Sequence, residues 1–574
     1  MTNIFKHLPA GRMGGGLILA LLLTLCACSD SHMESVNTDD TKSPTINPNA
    51  QLTTALLQTY GDFGLMDTYR SYITGFTQYY AGGWNVSFYA GAVNPDNDQM
   101  RLIWDQYYSV GIKNLVDAIY NSKDMPNTNA ALRIHRVYLM SILTDTYGDV
   151  PCSEAGLGFI EGISNPKYDK QEDIYNWFFT ELADCVAQLG TGSDRISGDV
   201  TSLGGDPSLW KKYANALRLR FAMRISDVNP AKAQQEFEAA LSAEGGIISN
   251  EGENAYVKYM DSPFTLYDGS RDLDFRANAL SEILYGQDPT SPTFVCSTLY
   301  NMLKDNNDPR LLKICRHYIN TTRSETKPEG NYDVTDEIIA WGNAGGTGVQ
   351  TNDPGAAWWD QWPTVPSNAE IPTLQQLVNN YPDKGYDQSN YPARMTRPFL
   401  ALAFEQPNCP GVLITSAEVE FLLAEAATKG WAVGGTAESH YEAGVRAAMH
   451  FINTYDIVGK ISEQEINDYI AANPLGDNPK AQINKEAYIL HLTNPSEAWA
   501  NLRRSDYPAL QDRAKFGNFT YTCVDGFDTP VRLKYPNLEA KYNSENYKAA
   551  IESLGGTDNW HKRMWWDVSD QNFE

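Results

Sequence analysis

Histidine, cysteine and basic residues are all scarce in this chain, and it has no apolar run long enough to cross a bilayer. Only 8 His occur in 574 residues. No two of them sit at i, i+4 with an acid partner, so a zinc centre of three protein ligands plus an open position has no nominated ligands. His135, on a helix, and His317, His440, His450 and His491 stand alone, and core or surface packing is the reading for each. Eight Cys occur, and six of these lie beyond residue 28: Cys152, Cys185, Cys296, Cys315, Cys409 and Cys523. They are widely spaced and form no CxxC knuckle, which excludes a small disulfide scaffold. One or two disulfides, or six free buried thiols, are equal readings in an exported protein. Lys and Arg number 45 against 71 Asp and Glu, a formal charge of −26. An acidic field of that size argues against nucleic acid as a ligand. It also argues against adhesion to anionic headgroups through a basic patch. With 43 Gly and 29 Pro, collagen-like and low-complexity classes are excluded.

Catalytic signatures are also missing. There is no GxSxG elbow, no HExxH and no GxxxxGK[ST] loop. Gly345-Gly346-Thr347-Gly348 is glycine-rich but lacks a lysine and a helix–strand frame. Paired carboxylates for glycoside cleavage are easy to name among so many acids, yet no segment places them at strand ends. For calcium, Asp305-Asn306-Asn307-Asp308 and Asn352-Asp353 are the candidate oxygen ligands of a structural ion. The twelve-residue calcium loop is absent, and a solvated acidic turn is the commoner reading.

What the chain does have begins at its N-terminus. Lys6 and Arg12 precede the run LILALLLTLCAC at residues 17–28. A charged start followed by an apolar stretch of about 12 residues is an export signal; a spanning helix needs about 20. Leu25-Cys26-Ala27-Cys28 has the order of a bacterial lipobox. The Cys28 thiol would take a diacylglycerol thioether, and its freed amine a third acyl chain. Each buried methylene contributes about 0.8 kcal/mol, so several chains anchor a protein without a spanning helix. Cys26 is the weaker candidate, since Leu23-Thr24-Leu25 offers no small residue before the cut. Residues 1–27 read as a lipoprotein signal peptide and 28–48 as a polar, flexible tether. Cleavage removes Lys6 and Arg12 and no acid, taking the charge from −26 to −28.

Residues 49–574 form the body. Its length suggests three to four domains by size alone, or one helical array. Helical periodicity dominates two stretches, about 50–245 and 414–505. Helices are expected at 50–60, 99–120, 129–146, 171–189, from the Asp206-Pro207 cap onward, and at 230–243. Others are expected at 414–431, 436–452, 462–470 and 479–490. The fold class is therefore mainly α. The pair 414–431 and 436–452 resembles a tetratricopeptide-type hairpin, with Tyr441, Gly444 and Ala448 in rhythm, and 129–146 with 171–189 suits the same pairing. Between about 246 and 413 the periodicity breaks, with short helices at 273–285, 296–304 and 371–380. A long loop spans 342–362, and loops of that size are usually functional or mobile. The tail 506–574 is again loop-rich.

Aromatics are 11% of the chain, with 33 Tyr and 13 Trp together outnumbering 20 Phe, a balance common at wet binding surfaces. Two clusters stand out. Phe76, Tyr79, Tyr80, Trp84, Phe88 and Tyr89 fall among glycines in GFTQYYAGGWNVSFYAG, and Trp358, Trp359 and Trp362 crowd the middle loop. Trp faces stack on sugar rings, and Asn85 or Asp360 supplies orienting hydrogen bonds. The candidate ligand residues are Tyr80, Trp84, Asn85, Tyr89, Trp358 and Trp359; core filling beneath loops is the competing reading. Trp565 and Trp566 read as structural. Arg218, Arg220, Arg503 and Arg504 read as structural ion pairs, and Asp149 as a turn or helix-end organiser and not a catalytic acid.

Several longer motifs carry a family resemblance. Tyr147-Gly148-Asp149-Val150-Pro151 followed by Ser153-Glu154-Ala155 looks like a YGDVPYSEA element, with Cys152 in the aromatic's place. Asn47-Pro48-Asn49, Pro166-Lys167-Tyr168-Asp169 and the helix with Glu172 and Ile174-Tyr175 belong to the same series. Trp210 to Arg220 is similar to WxKxANSLRLR. Glu420-Phe421-Leu422-Leu423-Ala424-Glu425-Ala426 resembles a helical-repeat element. Trp499, Arg503, Arg504 and Tyr507-Pro508 match WxxxRRTGYP except at Ser505-Asp506, and Arg532, Tyr535-Pro536 and Asn543 match a looser ending. With the Cys28 lipobox, these resemble the SusD/RagB-like outer-membrane lipoproteins of Bacteroidetes, in the SusD-like branch, over nearly all of the mature chain.

That resemblance implies a tetratricopeptide-like scaffold under an irregular ligand-binding region. It also implies surface tethering by lipid at the outer membrane and no catalysis. The expected partners are a TonB-dependent SusC-like barrel and an oligosaccharide, or a peptide in some relatives; no cofactor is implied. Competing readings are a scaffold lipoprotein, with a protein-sized apolar patch, and a lipid-anchored glycoside hydrolase.

Overall fold

The computed structural model describes residues 46–82, 84–261, 275–284, 293–320, 331–337, 398–515 and 523–568. Cys28, Asn352-Asp353, Trp358, Trp359, the 342–362 loop and the expected helix at 371–380 lie outside them. The body begins at Pro48.

Its first half is built from helices α1 (Pro48–Gly61), α2 (Lys113–Tyr120), α3 (Pro126–Tyr147), α4 (Gln171–Gln188), α5 (Pro207–Arg224) and α6 (Pro230–Leu241). Helix α7 (Ser297–Asp305) lies in the middle region. The second half carries α8 (Ser416–Thr428), α9 (Ala437–Ile452), α10 (Glu463–Ala472), α11 (Pro479–Leu490), α12 (Pro495–Ser505) and α13 (Ser544–Ser553). The mainly α class is as expected. Helices α3, α4, α5 and α6 pack each against the next, and α8 against α9.

The starts follow one chemical rule. A short polar side chain accepts a free N–H of the first turn, and Pro fills the position that needs no donor. Asp206 accepts from Ser208, Asn229 from Lys232, Asn478 from Ala481 and Asn494 from Glu497, and Pro follows each of the four. Thr436 with Ser439 and Ser462 with Glu465 form reciprocal capping boxes. Between α8 and α9 the backbones come close because residue 444 is glycine. A Cβ there would lie 2.6 Å from the Phe421 ring.

One expected helix is broken. Residues 99–120 divide into short turns at Asn97–Met100 and Leu102–Gln106, a π-helical turn at Tyr107–Ile112, and α2. The wider π turn rotates the apolar stripe, so that Tyr107, Ile112 and Leu115 are all fully buried. Gly111 lies inside it, where a Cβ would sit 2.7 Å from Leu139 Cδ1.

Strands are short and antiparallel. β1 (Tyr80–Gly82) pairs with β3 (Thr293–Val295), and β2 (Ala255–Val257) with β8 (Gly411–Ile414). β4 (Cys315–Arg316) pairs with β7 (Phe399–Leu400), and β5 (Tyr318–Asn320) with β6 (Asn331–Asp333). Three of the four pairs join segments distant in sequence and so stitch the aperiodic middle to itself and to the helices. One hydrophobic core runs through the described body from Leu52 to Trp566. The six described cysteines are all free, five of them buried, so the free-thiol reading holds. No described helix is long and apolar enough to cross a membrane.

Candidate ligand-binding region

The first aromatic cluster folds as a tight hairpin. The chain runs through Thr74–Phe76, turns at Gln78 with φ 54°, and forms β1. It then re-enters a helical path at Trp84–Val86 and a π-helical turn at Ser87–Gly91. Its two arms touch at Gly75, where a Cβ would lie 2.5 Å from the Ala90 methyl.

A polar clamp holds the hairpin's bend. Gln78 Nε2 donates to the Gln511 carbonyl at 2.7 Å, and Gln78 Oε1 accepts from Thr298 Oγ1 at 2.5 Å and from Gln511 N at 3.0 Å. Gln511 Nε2 donates to Ser297 Oγ and Thr298 Oγ1, both at 3.1 Å. From α11, the Tyr488 hydroxyl donates to the Thr77 carbonyl at 2.8 Å, and its ring stacks on Tyr79 at 4.4 Å. At the other end, buried Arg513 donates to the carbonyls of Phe527 at 2.5 Å and Ala90 at 3.2 Å. Burial lowers the Arg513 guanidinium to about 10.

The structure sorts the expected contact residues. Tyr80, one of the candidate ligand residues, is 1% exposed, because β1 pairing with β3 turns its ring into the core. Tyr89 is 6% exposed, its ring tilted against Tyr72 at 5.6 Å and edge-on to Phe88 at 5.1 Å. It too is a packing ring as folded, and burial raises its hydroxyl to about 12. Asn85 is buried beside them. The backbone of Trp84 opens the short helical turn that carries Asn85, at the edge of the hairpin next to Gly82.

Sequence inspection gave no warning of Glu405. Its carboxyl is 8% exposed and makes no side-chain hydrogen bond or ion pair among the described residues; burial alone pushes it well above the usual 4.5. Tyr80, whose buried hydroxyl also has no partner among the described residues, lies within electrostatic range of it.

The signature arginines build the scaffold beneath. Arg220 grips Glu418 through Nε–Oε1 at 2.6 Å and Nη2–Oε2 at 2.8 Å. Burial alone would raise Glu418, but Arg220 and His491 outweigh it and hold the carboxyl at about 2. Arg504 grips Glu425 in the same two-toothed way at 2.6 and 2.8 Å. Arg218 lies 3.6 Å from Glu236. These three are structural pairs, as expected. Arg503 differs: it donates to the carbonyls of Trp499, Val531 and Asp145 and covers the Trp499 ring at 3.8 Å, and burial lowers it to about 9. Asp149 Oδ1 accepts from Gln171 N at 2.9 Å and so caps α4, the expected organising role. Trp566 is fully buried and donates to Asp145 at 3.0 Å.

The 305–308 turn does not present a calcium site, because both Asp308 oxygens are taken by Arg310. No cluster of three or more His, Cys, Asp or Glu suited to a metal occurs among the described residues.

The paired helices thus carry an aromatic hairpin held by Gln78, Gln511, Tyr488 and Arg513. The family described as "Starch-binding associating with outer membrane", SusD-like, matches residues 40–343 and 372–536. Among solved structures, a SusD-like protein described as Bacteroidetes AC2a is 39% identical, with a TM-score of 0.80, over 91% of this chain and 100% of its own. A chitin-binding protein is 30% identical, TM-score 0.71, over 91% and 100%. A chitin-binding SusD homolog from Flavobacterium johnsoniae shares the fold at 22% identity, TM-score 0.64, over the same shares. No curated protein matches the chain. The chain belongs to the SusD-like family of Bacteroidetes outer-membrane proteins. Proteins of this family are non-catalytic, carbohydrate-binding and devoted to nutrient capture, and they generically pair with SusC-like TonB-dependent transporters.

Proposed function

We propose that this protein captures oligosaccharides at the cell surface and hands them, uncleaved, to a SusC-like TonB-dependent barrel. The observation that carries this reading is the 30% identical chitin-binding relative aligned over 91% of this chain. It makes β-1,4-linked N-acetylglucosamine oligomers the first ligand class to test, ahead of peptides. In this reading residues 1–27 are removed, Cys28 carries the lipid and 28–48 tether the body formed by 49–574. Trp84, Trp358 and Trp359 supply the stacking faces. Asn85 orients the ligand, and Tyr80 and Tyr89 support the hairpin from below.

Glycan and peptide arrays test the ligand, with Trp84→Ala and Trp358→Ala beside the wild type. Capture of a chito-oligosaccharide that either substitution weakens supports the assignment. Capture unaffected by both substitutions refutes the residue placements, and cleavage of a bound glycan refutes the reading itself. Purification from the native envelope should bring down a barrel partner, and mass spectrometry of the mature chain should find acylated Cys28.

A further inference from the structure

The aromatic hairpin is not the sole part of the body equipped for a polar ligand. A cleft of about 300 Å³ opens where β2, the loop before β8 and the C-terminal end of α9 meet. That volume lies within the range of small-ligand sites, about 300–1,000 Å³. Strand alternation explains its wall. Ala255 and Val257 turn into the core, so Tyr256 between them turns outward and stays half-exposed. Lys258 and Asn408 are exposed on the same cleft, and Phe451 closes part of its floor.

Three of these side chains are uncommitted. The Tyr256 hydroxyl, the Lys258 ammonium and the Asn408 amide make no side-chain hydrogen bond or ion pair with the described residues. Glu251 at the rim is held in place instead. His450 Nδ1 meets its Oε1 at 2.5 Å, while Nε2 of the same ring meets Glu463 Oε1 at 2.5 Å. That pins the carboxylate through Oε1 at the edge of the cleft. An aromatic face, an amide, an ammonium and a fixed carboxylate around one cleft make a set that matches vicinal hydroxyls. The carboxylate accepts from a pair of hydroxyls, the ammonium and amide donate to ring and hydroxyl oxygens, and the ring covers an apolar sugar face. A peptide side chain would want a deeper apolar socket than Phe451 and Pro410 provide.

We propose that this cleft is a second saccharide-binding subsite, separate from the aromatic hairpin, with Tyr256, Asn408, Lys258 and Glu251 as its contacts. It rests on the reading of the protein as an oligosaccharide binder. Its role is to hold a further unit of a long chain or a second chain.

The test is hydrogen exchange by mass spectrometry on the mature chain, with and without N-acetylglucosamine, α-1,4-glucose and β-1,4-xylose hexasaccharides, and with a tripeptide mixture as control. The expected result is slowed exchange in 251–259, 406–411 and 449–455 with one hexasaccharide. Tyr256→Ala and Asn408→Ala should each weaken that protection about fivefold in apparent affinity, as loss of one stacking or bidentate contact implies. Neither should change protection in 76–93. A hexasaccharide that protects 76–93 but leaves the cleft unchanged overturns this inference alone. So does cleft protection that survives both substitutions, or protection by the peptides only. Binding of no saccharide anywhere overturns it together with the proposed function.

Discussion

Arg310 is the most exacting test of how the aperiodic middle region is fastened to the helices. Its side chain is fully buried between two carboxylates that are themselves 1% exposed or less. Nη2 lies 2.5 Å from Asp308 Oδ2 and 2.6 Å from Glu486 Oε2, and Tyr469 donates to the other Glu486 oxygen at 2.7 Å. One guanidinium thus ties the turn after α7 to α10 and α11. Burial raises Glu486, but Arg310, Lys485 and the Tyr469 hydroxyl outweigh it and keep the carboxyl below its usual 4.5. Its contribution to stability is therefore present above 4.5 and is lost as pH falls through the lower folded value.

Arg310→Met keeps much of the volume and removes the charge. It strands two buried carboxylates; among the described residues Lys485, 3.6 Å from Glu486, is the one cation left beside them. Breaking a buried pair in this way costs about 3–5 kcal/mol. In the variant those carboxyls ionise only at a penalty, so the deficit belongs to neutral pH and shrinks as pH falls below the carboxylate range. Urea unfolding at pH 7.5 and pH 4, followed by tryptophan fluorescence and by exchange of amides in 297–311, measures it. Adding Asp308→Asn and Glu486→Gln should restore at least half of the loss, since no unpaired charge then remains. A cost below about 1 kcal/mol at pH 7.5 refutes the reasoning, as does a deficit that is equal at both pH values.

The carboxyl of Glu405, without a hydrogen-bond or ion-pair partner among the described residues, works in the opposite direction. Because burial raises it in the folded state, the unfolded chain releases its proton first, and stability falls as pH rises above 4.5. Glu405→Leu should therefore stabilise by about 1–3 kcal/mol at pH 8 and by less at pH 4.5, read from paired thermal melts; an equal gain at both pH values contradicts this. Gly75→Val would drive its side chain into the Ala90 methyl and within 3.2 Å of Val86 Cγ1. It should cost about 1–3 kcal/mol, and exchange should rise in 76–93 while that in α5 stays unchanged. His450 is opposed by burial, but the hydrogen bonds to Glu251 and Glu463 raise it above its ordinary 6.5. The contact of 249–254 with α9 should loosen as pH rises from 6.5 upward, and His450→Gln should abolish that pH dependence in local exchange.

Helix starts were legible because capping is local. The Asp206-Pro207 cap sits where a free N–H and a missing one meet, and no distant residue decides it. The tetratricopeptide-like pairing of α8 with α9 was legible too, since Gly444 opposite a large ring is written in the spacing. Glu405 was not legible, because a lone glutamate between two loops reads as a surface residue until the core closes around it. The fates of Tyr80 and Tyr89 were equally hidden. An aromatic among glycines fits an open loop or a packed hairpin, and the pairing of β1 with Thr293–Val295, more than two hundred residues away, decides between them.

Taken alone, the residue order determined the acidic body, most helix boundaries and the family, and it set the expectation of an export signal and a lipid site at Cys28. Each of these depends on neighbours within a few turns or on a linear motif. Tertiary structure decided which arginine meets which carboxylate, which aromatic rings are covered, and that Tyr256, Lys258 and Asn408 share a cleft with α9. Burial and long-range contact are properties of the closed chain. Their energies arise only when segments far apart in sequence exclude water from one another.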